Sequence, residues 1–322
     1  MRALLWSILV VSVLMPPRGS EAVSAYPDRP IRLIVPFPPG GGTDLVSRTL
    51  QPAMAARLGQ QIVIDNRGGA QGLLGTAIGA QSAPDGYTLI IAEIGAIAVA
   101  PAIAEKVQFD PLKDFAPITK LIEQPYIMSV HPSVPAKSLA DFIKLAKAKQ
   151  GGLNYGSGNT TAHVAQEVFY QTAGIKLQHI PYRGSGPSVA ALLGNEVQVL
   201  FSGPGAAIPQ INAGRIRGLA VTTLKRSREL PDLPTLNESG YKGFEISGWY
   251  GLVAPARTAQ PVIALLNAEV VKILSGGEAA QQLMARGYDP APTTSEEFGK
   301  YLQSEIVRWS KAVRQFGVKT LE

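Results

Sequence analysis

Val35-Pro36-Phe37-Pro38-Pro39-Gly40-Gly41-Gly42-Thr43-Asp44 follows a short β-rich run at 31–35. It precedes apolar residues at helical spacing, Leu45, Val46, Leu50, Met54 and Leu58. The prolines stiffen the turn and remove backbone donors, while the glycines leave N–H groups approachable. Thr43 or Asp44 is placed to cap the helix. Strand, glycine loop and helix N-terminus, in that order, form a recurring cradle for an anion.

The same arrangement recurs along the chain. A strand at 61–65 leads into RGGAQGLLG and an apolar helical stretch, and 87–92 reads as another buried strand. Extended runs at 121–122 and 126–130 are broken at Pro125. Ser138 with Asp141 opens an amphipathic helix that stops at Gly151 and Gly152. Strands at 153–155, 177–180 and 197–201 each run into small-residue turns, so that loops at 38–44, 156–161, 184–188 and 202–205 all follow a strand and precede a helix. A strand at 216–221, a proline-rich passage at 231–255 and helices at 261–274, 278–286 and 294–316 complete the chain. This alternation predicts an α/β protein with mostly parallel strands. Extended crossings near 118–130 and 216–223 bracket one βα block. The expected organisation is therefore a first lobe made of 26–122 and 222–322, and a second lobe made of 123–221.

The chain of 322 residues opens with a leader-like segment: Arg2, an apolar run at 3–15, and the small-residue site Val23-Ser24-Ala25 before Tyr26. Cleavage after Ala25 is expected to release a soluble, exported protein of 297 residues, long enough for two cores. No cysteine is present, which excludes disulfides and a soft metal site. The formal charge of +6 falls to +5 once Arg2, Arg18 and Glu21 leave with the leader. These charges are scattered without aromatic interleaving, a poor match to nucleic acid and a mild attraction for small anions.

Catalytic constellations are missing. The histidines, His131, His163 and His179, have no metal-ligand spacing, and Ser157 and Ser185 lack the flanks of a nucleophile elbow. Gly40-Gly41-Gly42-Thr43-Asp44-Leu45 matches a dinucleotide fingerprint only in part, with leucine where a small residue must pack. The four loops are the better signal. In parallel sheets they gather at the carboxyl ends of the strands, where backbone N–H groups and hydroxyls hold a carboxylate without needing an arginine.

YPDRPIRLIVPFPPGGGTDLVSR, PDGYTL, LNYGSGNTTAH, PYRGSGPSVAALLGNEV and RSRELPDLPTLNESG, in this order, resemble the Bug-type receptors of tripartite tricarboxylate transporters. The resemblance runs from about Tyr26 to the C-terminus. It implies a two-lobed, type II periplasmic-binding-protein fold with a ligand cleft between the lobes. It also implies a monomeric periplasmic receptor that captures a small organic carboxylate, delivers it to membrane permease subunits, and has no cofactor or metal. The positions it assigns to the ligand are Phe37, Pro39, Gly40, Gly41, Gly42, Thr43 and Asp44 in the first loop, and Ser157, Gly158, Asn159, Thr160 and Thr161 in the second. His163, Tyr182 and Ser202 are their neighbours. Alternatives are a carboxylate sensor feeding a signalling partner and, from another class, an exported α/β enzyme.

Two departures from the family pattern stand out. Glu93-Ile94-Gly95 replaces a frequent Thr-His pair, and Ser202-Gly203 stands where an aspartate is common. The second removes a carboxylate that would meet a ligand ammonium. Glu93 reads either as its replacement from the other lobe or as a solvated residue at the lip of the cleft.

Overall fold

The computed structural model describes residues 26–317; the export signal read in 1–25 lies outside them. Two sheets carry the fold. The six-stranded sheet has the order β11-β4-β10-β3-β1-β2 and the five-stranded sheet β7-β6-β8-β5-β9. The first sheet is built from β1 (Ile31–Val35), β2 (Ile62–Asn66), β3 (Thr88–Glu93), β4 (Phe115–Pro125), β10 (Ser247–Pro255) and β11 (Asp289–Pro290). The second holds β5 (Ile127–Val130), β6 (Asn154–Ser157), β7 (Gln178–Pro181), β8 (Val199–Ser202) and β9 (Arg217–Val221). Helices α1 (Gly42–Leu58), α2 (Leu73–Ala80), α3 (Ala100–Ile103), α4 (Leu139–Ala148), α5 (Thr160–Ala173), α6 (Ser185–Leu193) and α7 (Pro204–Asn212) follow strands in turn. α8 (Gln260–Leu274), α9 (Glu278–Met284) and α10 (Ser295–Phe316) close the chain.

Local chemistry explains the boundaries. Ser138 and Asp141 form a reciprocal capping box at the start of α4, as do Thr294 and Glu297 at α10. β1 is buried on both faces, as a central strand flanked by β2 and β3 must be. The chain leaves the first sheet after Pro125 and enters the second at Ile127, with only Tyr126 between them. It returns between Val221 and Ser247, and the two crossings are bonded side by side. Tyr126 N–H donates to the Thr222 hydroxyl at 3.0 Å, and Thr222 N–H donates to the Tyr126 carbonyl at 3.0 Å.

One expectation fails. Five of the nine strand pairings among the described residues are antiparallel, so the sheets are mixed rather than mostly parallel. Two of the five come from β5, in the second sheet, and two from β10, an inner strand of the first sheet hidden in the passage that reads as proline-rich. Its sequence, SGWYGLVAP, interrupts the apolar pattern with Gly248 and Gly251, and the pairing with β4 shifts register at Gly251. The glycine has a packing cause. A Cβ at Gly251 would lie 2.1 Å from Cζ of Phe298, the α10 ring that seats on the sheet there. On the strand's side chains, Trp249 Nε1 donates to Glu305 Oε2 of α10 at 3.0 Å, while the adjacent Tyr250 turns the other way.

Gly251→Ala is therefore expected to destabilise the protein by about 1–3 kcal/mol through overpacking. Thermal melting measures this; an unchanged midpoint would show that α10 shifts freely on the sheet.

Candidate functional site

The glycine loop is fixed by its own surroundings. Asp44 accepts from Gly40 N–H at 2.9 Å, from Arg48 Nε at 2.9 Å and from Asn66 Nδ2 at 3.0 Å. Asn66, at the end of β2, also donates to the Phe37 carbonyl at 3.1 Å. Burial works to raise the Asp44 pKa, but the Arg48, Gly40 and Asn66 hydrogen bonds outweigh it and hold the carboxyl below its usual range. Gly40 has φ +84°, a conformation that L side chains rarely adopt. The N-cap of α1 is Gly41, with no side-chain cap, so Thr43 and Asp44 lie inside the first turn instead of capping it. The first-turn N–H groups thus keep their partners to be found elsewhere.

Two helices of the other sheet start opposite this loop. Asn159 caps α5, its Oδ1 accepting from Ala162 N–H at 2.7 Å. α6 begins at Gly184, with φ +111° and no side-chain cap. The β6 and β7 ends sit close enough that a Cβ at Gly158 would lie 2.6 Å from the Gly184 carbonyl oxygen. Between the two sides lies a cavity of about 160 Å³, lined on one side by residues 37–43 with Glu93 and Tyr250, and on the other by Gly158, Asn159 and residues 183–187. A larger outer cavity of about 890 Å³ shares Phe37, Pro38, Pro39, Gly158, Arg183 and Gly184 with it. Partial positive charge at helix N-termini from both sides makes the inner cavity a natural anion site.

One lining group has the opposite character. Glu93, the last residue of β3, is paired across the sheet with Tyr250 of β10. The carboxyl is 2% exposed, which rules out a solvated lip residue. Burial pushes it up to about 7, against the Ala96 and Gly95 N–H groups, which favour its charged form. The Ala96 bond to Oε2 is 2.9 Å. Tyr250 hydroxyl accepts from Gln124 Nε2 at 3.0 Å. The hydroxyls of Tyr126 and Thr161 are buried without a well-aligned hydrogen bond among the described residues.

Of the residues expected from sequence, Phe37, Pro39, Gly40, Gly41, Gly42, Thr43, Glu93, Gly158 and Asn159 line the inner cavity. Thr160 and Tyr182 line the outer one, and the Tyr182 hydroxyl donates to Glu196 at 3.3 Å. Asp44, Ser157, Thr161, His163 and Ser202 line neither. Asp44 is spent on the loop. Ser157 Oγ is hydrogen-bonded to His179 Nε2 at 2.7 Å behind the strand. His163 packs on that ring at 4.1 Å between centroids, and burial pushes the two imidazoles down to about 3 and about 4, so both are neutral. Thr161 and Ser202 are buried. Tyr250 and Arg183 line the cavity without having been expected there, whereas Gly184–Pro187 belong to the 184–188 loop that the sequence singled out. The aromatic pair in SGWYG carried a signal for Tyr250, since neighbours on a strand face opposite ways. No cluster of three or more His, Asp or Glu residues suited to a metal occurs among the described residues.

The family model for the tripartite tricarboxylate transporter family receptor matches residues 46–318. This chain belongs to that receptor family. The receptor is 35% identical to the BugT protein of Bordetella pertussis over 318 residues, covering 97% of this chain and 98% of that one. The solved structure of R. palustris Rpa4515 with adipate is 33% identical, with a TM-score of 0.89 and coverage of 92% of this chain and 100% of that one. MatC from Rhodopseudomonas palustris with bound malate is 30% identical, with a TM-score of 0.84, covering 89% and 100%. The receptor thus has the two-lobed, type II periplasmic-binding-protein fold.

Two expectations follow for the receptor. A Cβ on Gly41 meets only the Pro38 carbonyl at 3.8 Å, whereas one on Gly42 would lie 2.6 Å from the Tyr250 hydroxyl and 2.9 Å from that of Tyr288. Gly41→Ala should leave the melting temperature of the free protein unchanged and weaken ligand binding at least tenfold (about 1.4 kcal/mol). Gly42→Ala should lower both. Normal binding by both variants in calorimetry would show that the loop is only a turn.

The second concerns pH. The folded state holds the Glu93 proton more tightly than the unfolded chain, so this group lowers stability as pH rises from its ordinary 4.5 through about 7, with no further change above. The loss is on the order of 3 kcal/mol. Denaturant unfolding of the free protein should show wild type losing stability relative to Glu93→Gln across that window. A constant difference between the two would mean that the carboxyl titrates normally.

Proposed function

We propose that this protein is a periplasmic receptor that captures a small organic carboxylate between its lobes and delivers it to the permease of a tripartite tricarboxylate transporter. The observation that carries the reading is the convergence of the α1, α5 and α6 N-termini, from both sheets, on one cavity. A carboxylate there accepts backbone N–H bonds from α1 on one side and from α5 and α6 on the other. Such a ligand favours the closed arrangement by its differential contacts. The adipate-bound and malate-bound relatives support the ligand class. In this reading residues 26–122 and 222–322 form one lobe and 123–221 the other, with the crossings at Tyr126 and Thr222 as the axis of closure. Phe37, Gly41, Gly42, Thr43, Gly158 and Asn159 hold the anion. Arg183, exposed on the second lobe, adds attraction without a fixed geometry.

A thermal-shift screen tests this with four- to six-carbon organic acids beside ATP and glucose. At a hundredfold excess over Kd, a bound acid adds about 2.7 kcal/mol of stability, a clear rise in Tm. Stabilisation by the nucleotide or the sugar, with none from any acid, would overturn the reading.

A further inference from the structure

The cavity is lined by two chemically different kinds of group. The first are N–H groups of α1 and α6, helices with no side-chain cap. The second is the Glu93 carboxyl, fixed by the Ala96 N–H at 2.9 Å and opposite Tyr250 in the strand pairing. The ionisable groups that face Glu93 are Tyr126, between β4 and β5, and Tyr250 of β10, both kept as neutral hydroxyls by burial. From the second lobe, α5 presents Thr161, whose hydroxyl oxygen comes within 2.9 Å of the position a Gly95 Cβ would take, 2.7 Å from Glu93 Oε2. No cation touches the carboxyl among the described residues; the guanidinium on the cavity wall, Arg183, belongs to the opposite loop.

We infer that Glu93 reads a second group on the ligand, and that the ligand is a carboxylate that also carries an ammonium or hydroxyl donor. The inference rests on the carboxylate-receptor reading and narrows it. A bare di- or tricarboxylate would set a second anion against Glu93 in a desolvated space. It binds only if a proton is taken up, and does so less well as pH rises. An ammonium or hydroxyl meets the carboxylate as a hydrogen-bond donor and neutralises or satisfies it. The cavity wall thus supplies an acceptor where the Ser202-Gly203 turn lacks one.

The test is calorimetry at pH 6 and pH 8 with matched sets of equal chain length: succinate, malate and aspartate; glutarate, 2-hydroxyglutarate and glutamate; adipate and 2-aminoadipate. Wild type at pH 8 should bind the hydroxy or amino member of one set at least tenfold tighter than the bare diacid, and the better of the two identifies the donor. Glu93→Gln keeps an oxygen for the Ala96 N–H, and its melting curve confirms the fold. It should shrink that preference to threefold or less, and abolish the loss of diacid affinity between pH 6 and pH 8. Diacids that bind wild type as tightly as the donor-bearing acids at pH 8, or a Glu93→Gln variant that weakens all members equally, would overturn this inference and leave the carboxylate receptor standing. If no acid binds wild type, both readings fall together.

Discussion

The pair of chain crossings joined through Tyr126 and Thr222 decides where everything else can be. Each residue donates its N–H to the other, to a hydroxyl in one direction and a carbonyl in the reverse. Thr222 is held in turn from the returning strand: Ile246 N–H donates to its carbonyl at 3.0 Å, and its hydroxyl donates to the Ile246 carbonyl at 2.5 Å. Only one residue separates β4 from β5, so the two sheets cannot slide apart along the chain. In the proposed closure, rotation about the paired crossings carries the β1 loop toward the β6 and β7 loops. Segments of this kind commonly serve as hinges because a few residues absorb the change in dihedral angle.

The recognition chemistry proposed for this cavity depends little on charged side chains. Helix ends offer partial charges that are fixed before a ligand arrives, and a dry cavity magnifies them. The cavity wall also carries one buried carboxyl, in a position where desolvation and backbone N–H groups pull its proton affinity in opposite directions.

Much of this was legible in the sequence because it rests on local rules. VPFPPGGGTD, GSGNTT and YRGSGP each announce a strand followed by a helix start, and Ser138/Asp141 and Thr294/Glu297 announce caps that the structure shows. What escaped depends on residues distant in sequence. β10 was hidden because Gly251 serves a ring forty-seven positions later, and nothing nearby reveals Phe298. Asp44 looked like a ligand contact until Asn66 and Arg48 claimed its oxygens. Glu93 looked like a lip residue because its burial comes from β10 and from the second lobe, neither adjacent in sequence. His163 lies on the buried side of α5, a side defined by the packing of Tyr155 and His179.

The bonding around Asp44 has an entropic consequence. Gly40, Phe37, Asn66 and Arg48 are all tied together by it, directly or through one intermediate. A loop tied down by its own side chains has little freedom left to lose, so ligand binding does not have to offset the cost of arranging it. In the proposed function that makes the β1 loop a common mould for different acids. Discrimination among them is then left to side chains elsewhere on the cavity wall, which can change identity while the mould stays as it is.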